Sequence, residues 1–155
     1  LQVVSEIDGV ELFLAGTYDK NSSLYTNYSG IKNIHFMGFI TRDKLNDLYN
    51  QCDIFILPSL CEGMAMVGLE AMATGLPVLL SDIEQHMEIY NINHDIGCVF
   101  RQNDAIELIQ KMHMLMEKGT AVAGEEAYRT VTENLSAVRM SHRYQELYMQ
   151  MVTSK

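Results

Sequence analysis

Pro58-Ser59-Leu60-Cys61-Glu62-Gly63-Met64-Ala65-Met66-Val67-Gly68-Leu69-Glu70-Ala71-Met72-Ala73-Thr74-Gly75-Leu76-Pro77-Val78-Leu79-Leu80-Ser81-Asp82 sets two carboxylates, Glu62 and Glu70, eight positions apart across a strand-to-helix junction. The apolar run 54–57 that precedes it suits a strand buried on both faces of a parallel sheet, and Pro58 stops that strand. From about Met66 the spacing of Leu69, Met72 and Ala73 is helical, and Gly75 followed by Pro77 is a usual helix ending. A second apolar strand, 78–80, begins at once. Strand, Gly-containing loop, helix, strand is the unit of an α/β fold, and ligands of open parallel sheets bind at the carboxyl ends of the strands. The loop 59–65 therefore lies where a ligand would lie.

A helix that starts near Met66 presents unpaired N–H groups and the positive end of its dipole, which favour a phosphate or pyrophosphate. Gly63 and the small Ala65 let the backbone approach such a group closely. Glu62 is placed to accept hydrogen bonds from sugar hydroxyls. Glu70, about one turn inside the helix, is placed to bond the vicinal hydroxyls of a ribose. Two acceptors flanking a phosphate site suggest a nucleotide sugar. The competing reading is bland: a Glu near a helix start is favourable anyway, and Gly63 serves only a turn.

The segment resembles the Glu-x7-Glu motif of the retaining glycosyltransferases of family 4, the group 1 glycosyl transferases, whose typical form is E-G-[FM]-x-x-x-x-L-E-A-M-A-x-G-x-P-V. Here Glu62-Gly63-Met64, Leu69-Glu70-Ala71-Met72-Ala73, Gly75 and Pro77-Val78 fit it. Val10-Glu11-Leu12-Phe13-Leu14-Ala15-Gly16, Ile34-His35-Phe36-Met37-Gly38-Phe39-Ile40, Asp53-Ile54-Phe55-Ile56-Leu57-Pro58-Ser59 and Ser81-Asp82-Ile83-Glu84-Gln85-His86 are similar to the family's surrounding strands and loops, in the family's order. The resemblance runs from about residue 9 to residue 151. It departs from the pattern at Ala65, where the family often has a second Gly, and at Gly68, often Leu, where a helical Gly costs about 1 kcal/mol. Gly68 leaves room for a bulkier donor, or does nothing.

The resemblance implies a three-layer, Rossmann-like α/β domain with a mostly parallel sheet, one half of a GT-B fold. Its expected function is to bind the nucleotide diphosphate sugar from which a hexosyl unit is transferred to a glycan or lipid-linked acceptor, as in polysaccharide and glycoconjugate biosynthesis. It assigns Glu62 to the donor sugar as the candidate catalytic residue, Glu70 to the ribose, Gly63, Met64, Ala65, Met66 and Val67 to sugar and phosphate, and Gly38 and Ile40 to the nucleobase. The family uses no structural metal, so no metal and no cofactor besides the donor is expected.

The chain has 155 residues, one domain's worth. The acceptor-binding N-terminal domain has no counterpart in it, nor do the family's first C-terminal-domain strand and the Arg and Lys that follow it. That strand would lie centrally, beside those near Leu12 and Ile54, so apolar edges are expected to be exposed, open to a missing segment or to a dimer partner. The isolated chain is expected to be inactive. Hydrophobic residues at 48% and charged residues at 20% describe a globular domain able to bury a core, with no apolar run of membrane-spanning length and no secretory signal pattern. A net charge of −9 argues against nucleic acid. Cys52, Cys61 and Cys98 lack zinc-site spacing and read as reduced thiols of a cytoplasmic protein, which the resemblance places at the inner face of the membrane in its full-length form.

Elsewhere the patterns predict a short helix around Leu24, Tyr25 and Tyr28, a strand 34–37, and a helix 42–51 with Thr41 as N-cap. Further on they predict a short helix 85–90, a strand 97–100, and helices 105–118, 123–134 and 137–152, while 1–7 reads as the tail of a helix. The stripe of the helix 105–118 is expected to be Ile106, Ile109, Met112 and Met116; Tyr144, Leu147, Tyr148 and Met151 form a docking face on the last helix. His86 is placed in a loop facing the cleft, as a surface, structural or substrate-meeting group. Two other functions stay open: a GT-B nucleotide-sugar 2-epimerase, and a non-catalytic binding module on the same fold.

Overall fold

A computed structural model of the protein describes residues 1–2 and 4–153, without the side chain of residue 6. Five strands alternate with helices: β1 Leu12–Ala15, α1 Ser23–Tyr28, β2 Ile34–Gly38, α2 Arg42–Tyr49, β3 Phe55–Leu57, α3 Met66–Ala73, β4 Val78–Ser81, α4 Glu84–Tyr90, β5 Gly97–Phe100, α5 Ala105–Lys118, α6 Thr120–Thr130 and α7 Ala137–Thr153. Local chemistry sets the ends. Asp104 caps α5 by accepting from the Glu107 N–H at 2.9 Å, while the Glu107 carboxylate reaches back to the Arg101 N–H, also at 2.9 Å. Gly75, with φ of 85°, ends α3 in the left-handed conformation that glycine adopts without steric cost.

Every strand pairing is parallel. β3, β4 and β5 form one sheet with β4 in the middle, and β1 and β2 form another. The division falls between β1 and β3, the place where a further central strand is expected from the resemblance. Each of these two strands thus keeps an edge with no strand hydrogen-bonded to it among the described residues. The strand buried on both faces is accordingly β4, whose four residues are all buried; β3, expected in that role, is only half-buried at Phe55 and Ile56 because it lies at a sheet edge.

Alternation along β4 builds the layers. Val78 and Leu80 point to one side, into a core with Leu57, Leu69, Met72, Ile89 and Ala127 from β3, α3, α4 and α6. Leu79 points to the other, against Cys98, Phe100, Met112 and Leu115, with Ile7, Val10, Ile54 and Ile56 packed around them. Ile7 and Val10, in the segment that leads into β1, reach the larger sheet through that second core. Two glycines fix the approach of these layers. A Cβ on Gly97 would stand 1.8 Å from the Val78 carbonyl oxygen across the β4–β5 ladder, and one on Gly124 of α6 would stand 2.0 Å from the Gly75 oxygen.

Several expectations are corrected. The inward stripe of α5 is half-buried Leu108 and Ile109 with buried Met112 and Leu115; Ile106 and Met116 are exposed, because the helix is turned to follow the i, i+4, i+7 series from Leu108. The helix expected from 123 begins at Thr120 and ends in a π-helical turn, Val131–Leu135. Of the stretch 1–7, Val4–Glu6 is a 3-10 turn rather than the tail of an α-helix, and Val3 lies outside the described residues. The docking face expected on α7 stands as read and is uncovered: the helix buries no residue, and Tyr144, Leu147, Tyr148 and Met151 are all exposed.

Candidate functional site

The site is assembled where β3 runs into α3. Pro58 ends β3, and in the loop beyond it the Ser59 hydroxyl donates to Glu62 Oε1 at 2.6 Å, which fixes the half-buried carboxylate. Gly63 does not have a positive φ, and among the described residues nothing beyond its chain neighbours lies within 4 Å of a Cβ built there. Neither a left-handed turn nor packing within the chain therefore demands glycine at that position. Ala65 differs from its expected part. Its methyl is 1% exposed in the core beneath α3, so its small size serves packing as the helix turns into the sheet.

The start of α3 is open to an anion. Ala65, its N-cap, makes no side-chain capping bond, and no acidic residue lies in the first turn. The Met66 N–H turns back to the Met64 carbonyl at 2.7 Å, whereas those of Gly68 and Leu69 share the Ala65 carbonyl. The Val67 N–H, by the geometry of a helix start, has no intrahelical acceptor. Met64, Met66 and Val67 all expose their side chains. Gly68 is buried, and a Cβ built on it would meet Leu57 Cδ2 at 3.6 Å. It faces the sheet, so the idea that it makes room for a donor is corrected.

Glu70 lies on the next turn with its side chain 31% exposed, and the Arg42 guanidinium donates to its Oε1 at 2.7 Å. This bond raises the Arg42 pKa further, through the hydrogen bond first and the charge of Glu70 second. One such contact leaves a carboxylate with further acceptor sites. Burial, then the Glu70 charge, pushes the Tyr49 phenol up, and its hydroxyl meets the Val67 carbonyl at 3.5 Å, tying α2 to α3.

Arg42 stands at the head of α2, directly after the loop with Gly38 and Ile40. Gly38 has φ of 68° at a register shift in the β1–β2 ladder, and its carbonyl accepts from Gly16 N–H at 2.9 Å; Ile40 is half-buried, and Phe39 is 78% exposed. The ion pair brings this loop to Glu70 across the break between the sheets. Thr41 occupies the N-cap of α2 with extended backbone, yet its side chain makes no capping bond.

Polar bonds tie the neighbouring strand ends to the Glu62 loop. The Ser81 hydroxyl at the end of β4 donates to the Ser59 carbonyl at 2.6 Å, and Gln102 beyond β5 donates to the Leu60 carbonyl at 2.8 Å. His86 is wholly buried in α4 and bonds Ser81, so it does not face the cleft and is a structural histidine. Sequence reading missed Ser59, Ser81, Gln102 and Arg42, because their partners are set by which strand ends lie side by side. A cavity of about 320 Å³ lined by Gly63, Met64, Ala65, Leu69, Gln85 and Glu88, among others, opens beside the loop. A second cavity of about 360 Å³, between α6 and the turn after α4, shares Ile92 with the first; there Asn93 bonds Glu126 and Thr130, and Arg129 pairs with Glu126. These bonds pull the Glu126 carboxyl below its usual range, that of Asn93 first.

Cys61 is exposed, whereas Cys52 and Cys98 are pushed up chiefly by burial; all three are free thiols. Among the described residues no group of three or more His, Cys, Asp or Glu is placed to hold a metal ion, and no helix is long and apolar enough to cross a membrane.

Comparison with known proteins bears on the family and the fold. An α-1,3-N-acetylgalactosaminyltransferase of Campylobacter jejuni, acting on N,N'-diacetylbacillosaminyl-diphospho-undecaprenol by its name, is 32% identical over 111 residues, 71% of this chain and 29% of its own. The serotype-specific mannosyltransferase WbdA of Escherichia coli is 37% identical over 94 residues, 61% of this chain and 10% of its own. Among solved structures, a sucrose-phosphate synthase from Thermosynechococcus elongatus matches with a TM-score of 0.81 at 20% identity, over 99% of this chain and 41% of its own. HepE of Anabaena, solved in complex with UDP, matches with a TM-score of 0.78 at 21% identity, over 96% and 43%. These likenesses show the fold, that of one half of a GT-B enzyme. The chain spans between 25% and 29% of the length of the first curated relatives it matches. The model of the family described as glycosyl transferases group 1 matches residues 1–118, well over half of the sequence, and the chain belongs to that family.

Proposed function

We propose that this chain is the donor-binding part of a retaining glycosyltransferase that moves a hexosyl group from a nucleotide diphosphate sugar to a glycan or lipid-linked acceptor. The observation that carries the proposal is the open start of α3, free of acidic side chains, between two carboxylates already held by neighbours: Glu62 by Ser59 and Glu70 by Arg42. The unfilled space at Gly63 supports it, since a diphosphate needs close backbone approach there.

In this reading the Val67 amide, which has no intrahelical acceptor, faces the diphosphate at the start of α3, and the exposed backbone of Gly63 and Met64 passes beneath the sugar. Glu62 accepts from the sugar hydroxyls and holds the anomeric carbon in position. Glu70 accepts from the ribose, sharing its carboxylate with Arg42. The base lies against Gly38 and Ile40. As the bond from the anomeric carbon to the diphosphate oxygen breaks, negative charge grows on the leaving group, and amides and dipole fixed beforehand at a helix start stabilise it. The reading assigns no metal to this step. Further positive groups and the acceptor contacts come from a second domain. The uncovered face of α7 and the unpaired edges of β1 and β3 offer it surface, and the same edges would serve a dimer. The Campylobacter jejuni relative's lipid-linked acceptor supports an acceptor of that class, used at the cytoplasmic face of a membrane.

The test is turnover by the full-length protein carrying these residues, with UDP-, GDP- and ADP-sugars and mass-spectrometric detection of product. Glu62→Gln is expected to lose most of kcat, and Glu70→Ala to raise KM for the donor. Release of free epimerised sugar, or full turnover by Glu62→Gln, would overturn the proposal.

A further inference from the structure

His86 is the one histidine with no exposed surface, and the donor chemistry does not touch it directly. Its Nδ1 lies 3.0 Å from the Ser81 carbonyl oxygen and 3.1 Å from Ser81 Oγ. A carbonyl only accepts, so Nδ1 carries the hydrogen, an assignment made from its partners. The Ser81 hydroxyl commits its own hydrogen to the Ser59 carbonyl at 2.6 Å, and its oxygen is therefore left to accept from Nδ1. Ser59 in turn uses its hydroxyl on Glu62 Oε1 at 2.6 Å. The directions agree along the whole series: His86 Nδ1–H to Ser81, Ser81 O–H to the Ser59 backbone, Ser59 O–H to the Glu62 carboxylate.

The opposite ring nitrogen makes the choice of histidine telling. Nε2 is buried and has no hydrogen-bond partner among the described residues. A buried polar atom without a partner is destabilising, and an apolar side chain of similar volume would avoid it. Packing alone does not account for an imidazole here, and the bonds of Nδ1 do.

We propose that His86 is a positioning residue for Glu62, acting through Ser81 and Ser59 to hold the carboxylate at the donor sugar. The inference rests on Glu62 meeting that sugar, as proposed above. It carries a signature that general damage to the fold lacks, because the relay ends at the sugar contact and not at the nucleotide contacts. His86→Leu fills the volume and removes the donor. His86→Asn restores a side-chain N–H near the place of Nδ1. Ser59→Ala cuts the last link at a half-buried surface position and leaves the core intact.

The experiment uses the full-length protein and the nucleotide sugar it takes from the UDP, GDP and ADP series, together with the matching nucleoside diphosphate. His86→Leu and Ser59→Ala are each expected to raise KM for the nucleotide sugar about five- to tenfold, the net worth of one ordinary hydrogen bond. Affinity for the nucleoside diphosphate should stay within about twofold, with His86→Asn recovering most of the loss and the double variant no worse than either single one. Nitrogen NMR of the wild type should show the Nδ1–H tautomer. A shift of sugar and diphosphate affinity together, equal loss in His86→Asn and His86→Leu, or the Nε2–H tautomer would overturn the proposal. If His86→Leu does not fold, an unchanged KM in Ser59→Ala does so alone. A wild type with no affinity for any donor removes the donor-site reading and this one with it, and is told apart from the other outcomes by that silence.

Discussion

Gly68→Ala separates packing from ligand contact at the same helix. Gly68 sits inside α3 without a positive φ, so alanine fits its backbone, and a helical Gly-to-Ala change is worth about 1 kcal/mol. The added methyl would lie 3.6 Å from Leu57 Cδ2 and 3.9 Å from Ala65 Cβ, ordinary van der Waals contacts with side-chain atoms. Burying one methyl adds up to about 0.8 kcal/mol, for a total gain of about 1 to 2 kcal/mol. In a domain of this size each kcal/mol moves Tm by about 2 to 4 °C, so the variant should melt about 2 to 8 °C higher. Calorimetry and urea unfolding would measure this, with nucleoside diphosphate titrated into the same samples. Affinity should not change, since the methyl points at β3. A loss of stability would refute the packing of α3 on Leu57, and a loss of affinity with stability kept would return Gly68 to the ligand.

Other consequences are as direct. Gly97→Ala should cost about 3 to 5 kcal/mol, because its Cβ would meet the Val78 carbonyl at 1.8 Å and force the ladder open; a urea midpoint within error of the wild type would contradict that register. Iodoacetamide with peptide mapping should modify exposed Cys61 well before Cys98, whose buried thiol is pushed up, and donor should slow the labelling of Cys61 next to Glu62. Equal rates at the two thiols would count against this burial, and an unprotected Cys61 against the donor's position. Burial holds Tyr49, Cys52, Tyr90 and Cys98 protonated above their ordinary ranges. As pH rises through the thiol range the unfolded chain loses protons that the folded chain keeps, so stability present at neutral pH falls on the alkaline side. A urea midpoint flat from about pH 7 to 10 would contradict this.

Much of this was legible in the residues. Pro58, Gly75 and Pro77 bracket β3, α3 and β4 because each acts on its own backbone, and the helix 105–118 and strand 97–100 stand where their patterns put them. Burial was harder to read. β3 and β4 look alike as apolar runs, and only the sheet order makes one an edge and the other a centre. The stripe of α5 was misplaced by less than a turn, since Ile106 and Leu108 are equally apolar and the tertiary setting chooses between them. Within the site, the two glutamates and the glycine loop could be found by spacing, whereas Arg42 is paired 28 positions from its partner and Ser81 lies 22 positions from Ser59. Such pairs are written in topology rather than in sequence distance. His86 shows the same limit, for nothing in its neighbours told a cleft histidine from a buried one.

The central claim is that Glu62 and Glu70 flank the place where a nucleotide diphosphate sugar lies, with its ribose on Glu70. Ligand-observed NMR of UDP, GDP, ADP and their common sugars against this chain and its Glu70→Ala variant tests that claim most directly. The account predicts saturation transfer strongest at the ribose of one nucleotide series, lost or greatly weakened in the variant. Contact that survives Glu70→Ala unchanged, or transfer confined to protons away from the ribose, would contradict it.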